Sequence, residues 1–136
     1  MGQKYAAYNS SGGVVAFYDS IDSPVPNGVN AIAISDAQWQ TCISTSGYTV
    51  QNGVLTAPSA AVIAAQQTAA AWAAYQRQAQ AALAESDLTI LRCYESAVAV
   101  PAAWATYRKA LRSVLAEVTG DPTQPLPTKP AYPSGT

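Results

Sequence analysis

From Ala37 to Gln76 the chain runs forty residues without one charged side chain. Few folds accept such a stretch. Lipid would, but Gln38, Gln40, Asn52, Gln66 and Gln67 interrupt it, and a membrane-spanning helix needs about 18 or more consecutive apolar residues. The remaining reading is a soluble segment kept wet by Ser, Thr, Asn and Gln. A surface this poor in ions points to one that a partner covers.

The rest of the composition narrows the function. Only 11% of the 136 residues are charged, 28 are alanine and none is histidine. The length suits one domain with a core large enough to need no disulfide or metal. A net charge of −1 lacks the basic surplus with which a protein displaces counterions from nucleic acid. Without histidine the commonest general base and the commonest metal ligand are both missing. Cys42 and Cys93 lie far apart with no second ligand near either, so they read as free thiols in a reducing cytoplasm rather than a zinc site. No basic region followed by an apolar run opens the chain, so no export signal is expected. Asn9-Ser10-Ser11 then reads as a turn and not as a glycosylation site.

The pattern predicts an α+β fold with a small antiparallel β-meander in front, a long Ala-rich helix, two shorter helices and an extended Pro-rich tail. Residues 1–58 form the β-rich unit. Lys4–Tyr8 and Val14–Tyr18 flank a Gly-rich turn, and Ala31–Ile34 reads as a third strand. Ser35 with Gln38 makes a capping box for a short helix to about Cys42. Tyr48–Val50 and Val54–Thr56 flank Asn52-Gly53, the strongest short hairpin signal.

Residues 59–85 change character, with Ala, Gln and Leu dominant and no Gly or Pro. Val62, Ala65, Ala69, Trp72, Gln76, Ala79 and Leu83 fall within an arc of about 100° on a helix. Positions 62, 69, 76 and 83 permit a heptad seam for self-association, and packing on the chain's own domain is the alternative. Glu85-Ser86-Asp87 is expected to end this helix and cap the next, which runs towards Ala97 with Arg92 and Glu95 paired across one turn. After Pro101, Ala102–Val118 forms the last helix, with Trp104, Tyr107, Leu111, Val114, Leu115 and Val118 in one apolar stripe. Arg108, Lys109 and Arg112 are either an anion site or partners for the helix terminus and for Asp87 or Glu95. Residues 121–136 hold five prolines and should be extended, as a tether or laid in a groove of this fold or a partner's, with Leu126 and Tyr132 as anchors.

The run Trp104-Ala105-Thr106-Tyr107-Arg108-Lys109-Ala110-Leu111-Arg112 has the form W-x-x-Y-R-x-x-L-R, after Ser86-Asp87 and before a proline tail. It resembles the C-terminal region of the phage tail assembly chaperone family. Lys4-Tyr5-Ala6-Ala7-Tyr8, Gly12–Asp19, Ile34–Trp39 and Tyr48–Gly53 resemble, in order, the front of tail-fibre assembly proteins. The resemblance implies a non-enzymatic morphogenesis protein that binds a tail fibre or another tail protein in the bacterial host cytoplasm. Leu91–Glu95 departs from the family form and the Ala/Gln helix is more stalk-like. The alternative is therefore a structural component that stays in the virion tail and associates through its helical arm. Trp, Tyr and Arg most often anchor interfaces, so Trp104, Tyr107, Arg108 and Arg112, with Trp39 and Tyr132, are the candidate partner-binding residues. For Trp104 and Tyr107 the competing reading is helical core. A hydrolase would have to use Asp19 with Asp22 or Glu85 with Asp87, acids that sit where turns and caps want them anyway. No cofactor, metal, nucleic acid or membrane is expected as a partner.

Overall fold

The computed structural model describes residues 2–136. Its elements are β1 (Lys4–Tyr8), β2 (Val14–Asp19), β3 (Ala31–Ile34), α1 (Asp36–Ser44), β4 (Thr49–Gln51), β5 (Val54–Thr56), α2 (Ala60–Glu95) and α3 (Ala102–Ala116). The fold is α+β, as the pattern requires. One domain was the expectation from length; instead the chain forms two compact units, the first ending at Ala65 and the second spanning Gln66–Thr136.

In the first unit β1 is the central strand of a three-stranded antiparallel sheet in the order β2-β1-β3. Its Ala6 and Ala7 point to opposite faces, and both are buried. Across the flanking strands Ala6 lies opposite Phe17 and Ile32, and Ala7 opposite Ala16 and Ala31. The turn between β1 and β2 is organised by one side chain. Asn9 Oδ1 accepts hydrogen bonds from the backbone N–H groups of Ser11 and Gly13, at 3.1 and 2.9 Å, and from the Ser11 hydroxyl. Such local bonding is what Asn offers a turn. Gly12 then adopts a φ of +87°, and a Cβ there would lie 2.7 Å from the Val50 carbonyl oxygen. That oxygen is close because the Val50 N–H donates to the Gly12 carbonyl at 2.7 Å.

The contact ties the β4–β5 hairpin to this turn. The hairpin is a separate two-stranded ladder whose loop, Asn52 and Gly53, has positive φ at both residues, the geometry that matches strand twist. The Ser35/Gln38 capping box is present in full at the start of α1, and α1 runs two residues beyond the expected end.

The largest departure from expectation is in α2. Glu85-Ser86-Asp87 does not interrupt it; one helix of 36 residues continues to Glu95. Ser86 points inward, 2% exposed, and its hydroxyl donates to the Leu83 carbonyl at 2.5 Å. A serine that bonds back within its own helix makes no cap. The real end comes at Ala97, with a φ of 53°, where the Val98 N–H donates to the Cys93 carbonyl in the manner of a left-handed helix stop.

α3 also ends two residues early, at Ala116, which leaves Val118 90% exposed rather than in the apolar stripe. The core of the second unit is Ala79, Trp104, Tyr107 and Leu111, with Leu83, Val114, Leu115 and Leu126 packed against it. Ala79 is wholly buried, and its lack of a long side chain lets α3 approach closely.

Candidate partner-binding surface

α3 turns three of the six candidate residues inward. Trp104 is 1% exposed and its indole N–H donates to the Ala131 carbonyl at 2.9 Å. Tyr107 meets it edge-on, with ring centroids 5.7 Å apart. Arg108 is held at the surface of this core. Its Nη1 bonds the Ser86 hydroxyl, reaches the Leu83 carbonyl at 3.4 Å and pairs with Asp87 at 2.7 Å. Trp104, Tyr107, Arg108 and Leu111 of the W-x-x-Y-R-x-x-L-R run therefore dock α3 on α2, and the first three present little surface to a partner. Arg112 is exposed and takes no part in the ion pairs among the described residues.

Tyr132 is 59% exposed and stacks on Trp104, centroids 6.0 Å apart. Its hydroxyl accepts from Lys129, which pairs with Glu85 at 2.6 Å. The Glu85 carboxylate and the Tyr132 hydroxyl hold the Lys129 ammonium well above its usual range. The proline tail, left as tether or groove-bound by the sequence, lies in a groove of its own fold. Leu126 joins the core, Pro133 is buried and Tyr75 donates to the Pro125 carbonyl at 3.3 Å.

Trp39, in the first unit, is half-buried beneath the Lys4 ammonium, 5.0 Å from its ring centroid. Lys4 in turn pairs with Asp19. The bond from Lys4, with backbone donors at Ile21 and Asp22, draws the Asp19 carboxyl down to about 2. Of the four acids considered for hydrolysis, three are thus held by basic side chains: Asp19, Glu85 and Asp87. Arg108 pairs with Asp87, one of the two acids expected for the basic cluster, whereas the expected pair of Arg92 with Glu95 is not among the ion pairs of the described residues.

The proposed seam at 62, 69, 76 and 83 is also redirected. Val62 and Ala69 are exposed, but Gln76 and Leu83 turn into the second unit. The Gln76 amide donates to the carbonyls of Val114 and Glu117 at 3.0 and 2.8 Å, and the Trp72 indole donates to Glu117 as well. These bonds occupy the carbonyls that the end of α3 leaves over. A glutamine within an apolar arc was the one signal that could have marked this.

Two recesses are lined by uncharged residues alone. In the second unit a groove of about 540 Å³ runs along Ala71, Ala74, Tyr75 and Gln78 of α2 and Pro122 and Leu126 of the tail. In the first, a recess of about 350 Å³ is lined by Tyr5, Pro24, Val25 and Val29. The sequence reading missed both, since neither follows one periodic element.

Among the described residues no three His, Cys, Asp or Glu side chains gather as a metal ion would need, and no helix is long and apolar enough to cross a membrane. Cys42 and Cys93 are buried free thiols, and burial pushes the Cys42 thiol up. Set against protein-family models, curated proteins and solved structures, the chain matches none of them.

Proposed function

We propose that this chain is a bacteriophage or prophage tail assembly protein that binds a tail or tail-fibre protein and promotes its folding or assembly without catalysis, acting in the host cytoplasm. The partner class comes from the W-x-x-Y-R-x-x-L-R run and the ordered N-terminal likenesses. The observation that carries the reading is the uncharged groove along α2 and the tail, from Ala71 to Leu126. Neutral, alanine-lined and walled by proline, it suits another polar, charge-poor β surface. It repels neither sign of charge and demands little desolvation of ions. Leu126 of the groove packs on the core that holds Trp104 and Tyr107, so the motif serves the groove by fixing α3 and the tail against α2.

Co-expression with the tail-fibre protein encoded nearest to it tests the proposal. Fibre solubility and trimer yield should rise with the chain present and fall back when Ala71→Arg places a charge in the groove. Unchanged fibre yield with and without the chain refutes it. The 36-residue length of α2, about 54 Å at 1.5 Å per residue, favours a second reading, a tail component retained in the particle through its helical arm. Mass spectrometry of purified virions separates the two.

A further inference from the structure

On the side of α2 away from its core, a single row of side chains recurs every three or four residues: Arg77, Ala81, Ala84, Leu88, Leu91 and Glu95. All six are exposed, Leu88 at 60% and Leu91 at 52%. A surface helix ordinarily places charged or polar groups there, so two neighbouring exposed leucines preceded by two alanines need an occupant. The order of the row supplies one. Read from its two ends, it is complementary to itself: Arg77 answers Glu95, Ala81 answers Leu91, and Ala84 answers Leu88.

We infer that this row is a homodimer interface in which α2 packs antiparallel against α2 of a second copy, about a two-fold axis that passes between Ala84 and Leu88, level with Ser86 on the opposite, core-facing side. In that register each leucine lies over an alanine of the other chain, small against large, so the helices can approach closely. An isologous contact of this kind repeats every pairing twice, which places an Arg77–Glu95 ion pair at each end. Neither residue takes part in an ion pair within the described residues of its own chain. The acids that flank the midpoint do: Glu85 pairs with Lys129 at 2.6 Å and Asp87 with Arg108 at 2.7 Å. Their charges are therefore offset where two like copies would otherwise bring them together. A parallel pairing has no such merit, because it sets Arg77 against Arg77 and Glu95 against Glu95.

The row is about 27 Å long, and two helices meeting along it bury about 1,000 Å² in total, at the lower end for a specific interface. A contact of that size makes a weak dimer, whose population should rise with protein concentration. This surface is distinct from the groove, and the inference stands or falls independently of the proposed function.

Sedimentation of the full chain over about 1 to about 200 μM tests it. The wild type should pass from monomer to dimer. Leu88→Glu, at an exposed site, should leave the protein monomeric throughout with its helical circular dichroism unchanged. Arg77→Glu and Glu95→Arg should each raise the dissociation constant about ten-fold, by turning two attractive contacts into repulsive ones, and the double variant R77E/E95R should restore it. A wild type that is monomeric at every concentration overturns the inference. So does a dimer indifferent to Leu88→Glu, or one that the double reversal fails to restore.

Discussion

Replacing Gly120 with alanine would place a methyl carbon against the indole of Trp72. A Cβ built there lies 2.8 Å from Cζ2 and 2.5 Å from Cζ3, with Cη2 nearer still. Contacts below 3.0 Å cannot stand, so either the backbone after α3 or the ring must move. The ring is poorly placed to yield. It stacks on Tyr75 with centroids 5.2 Å apart, is 6% exposed, and its N–H is bonded to the Glu117 carbonyl at 3.2 Å. Overpacking of this kind costs about 1–3 kcal/mol, and loss of the indole bond adds about 1 kcal/mol. The substitution also restricts the unfolded chain, which returns about 0.4–1 kcal/mol. The net expectation is a loss of about 2 kcal/mol. Urea unfolding followed by tryptophan fluorescence and by helical circular dichroism measures it. A double-mutant cycle isolates the cause: in a Trp72→Leu background, Gly120→Ala should cost less than about 0.5 kcal/mol. If Gly120→Ala is neutral in the wild type, or its cost persists without the indole, the steric argument is wrong.

Ala97 holds a left-handed conformation at the end of α2, which glycine adopts without penalty, so Ala97→Gly should stabilise the second unit by about 1 kcal/mol in the same titration. Leu111 is wholly buried in the core of that unit, and Leu111→Ala should cost about 3 kcal/mol, read as a lowered urea midpoint at unchanged slope. The Asp19 carboxyl is drawn down to about 2, chiefly by its bond to Lys4. A depressed carboxylate contributes its stability above the unfolded value of 3.8 and loses it as pH falls from there through about 2. Between those limits the wild-type first unit should weaken faster than that of Asp19→Asn, as followed by hydrogen exchange at β1 and β2.

The first unit was largely legible because its signals are local. Asn52-Gly53 and the Ser35/Gln38 box each act across four residues or fewer, and each forms in the expected place. The strand order was not legible, since nothing within β3 says that it will pair with β1 rather than β2. In the second unit, Ser86 followed by Asp87 looks like a cap from the sequence alone. It is a buried hydroxyl only because Arg108, 22 residues away, comes to meet it. The same limit applies to the candidate site. Trp104 and Tyr107 carry the residue types of an interface, yet their stripe on α3 meets Ala79, and the tail covers what is left. Amphipathic spacing tells which residues share a face, and it cannot tell whether that face is met by the same chain or by another. Gln76 was the better clue, an amide placed among apolar neighbours because two helix-end carbonyls needed a donor.

The bond from the Trp104 indole to the Ala131 carbonyl sets an order of events during synthesis. Every strand of the first unit has been made once Thr56 is added, so that unit can form while translation continues. The second unit must wait: only water can accept from its central indole N–H until a residue 27 positions later arrives to do so. At about 5–20 residues per second the delay is short, but until it ends nothing in the chain can cover the tail-facing side of the core that α2 and α3 form. A partner that engages this chain during synthesis therefore has the complete set of front strands available to it before the cover of the helical core exists.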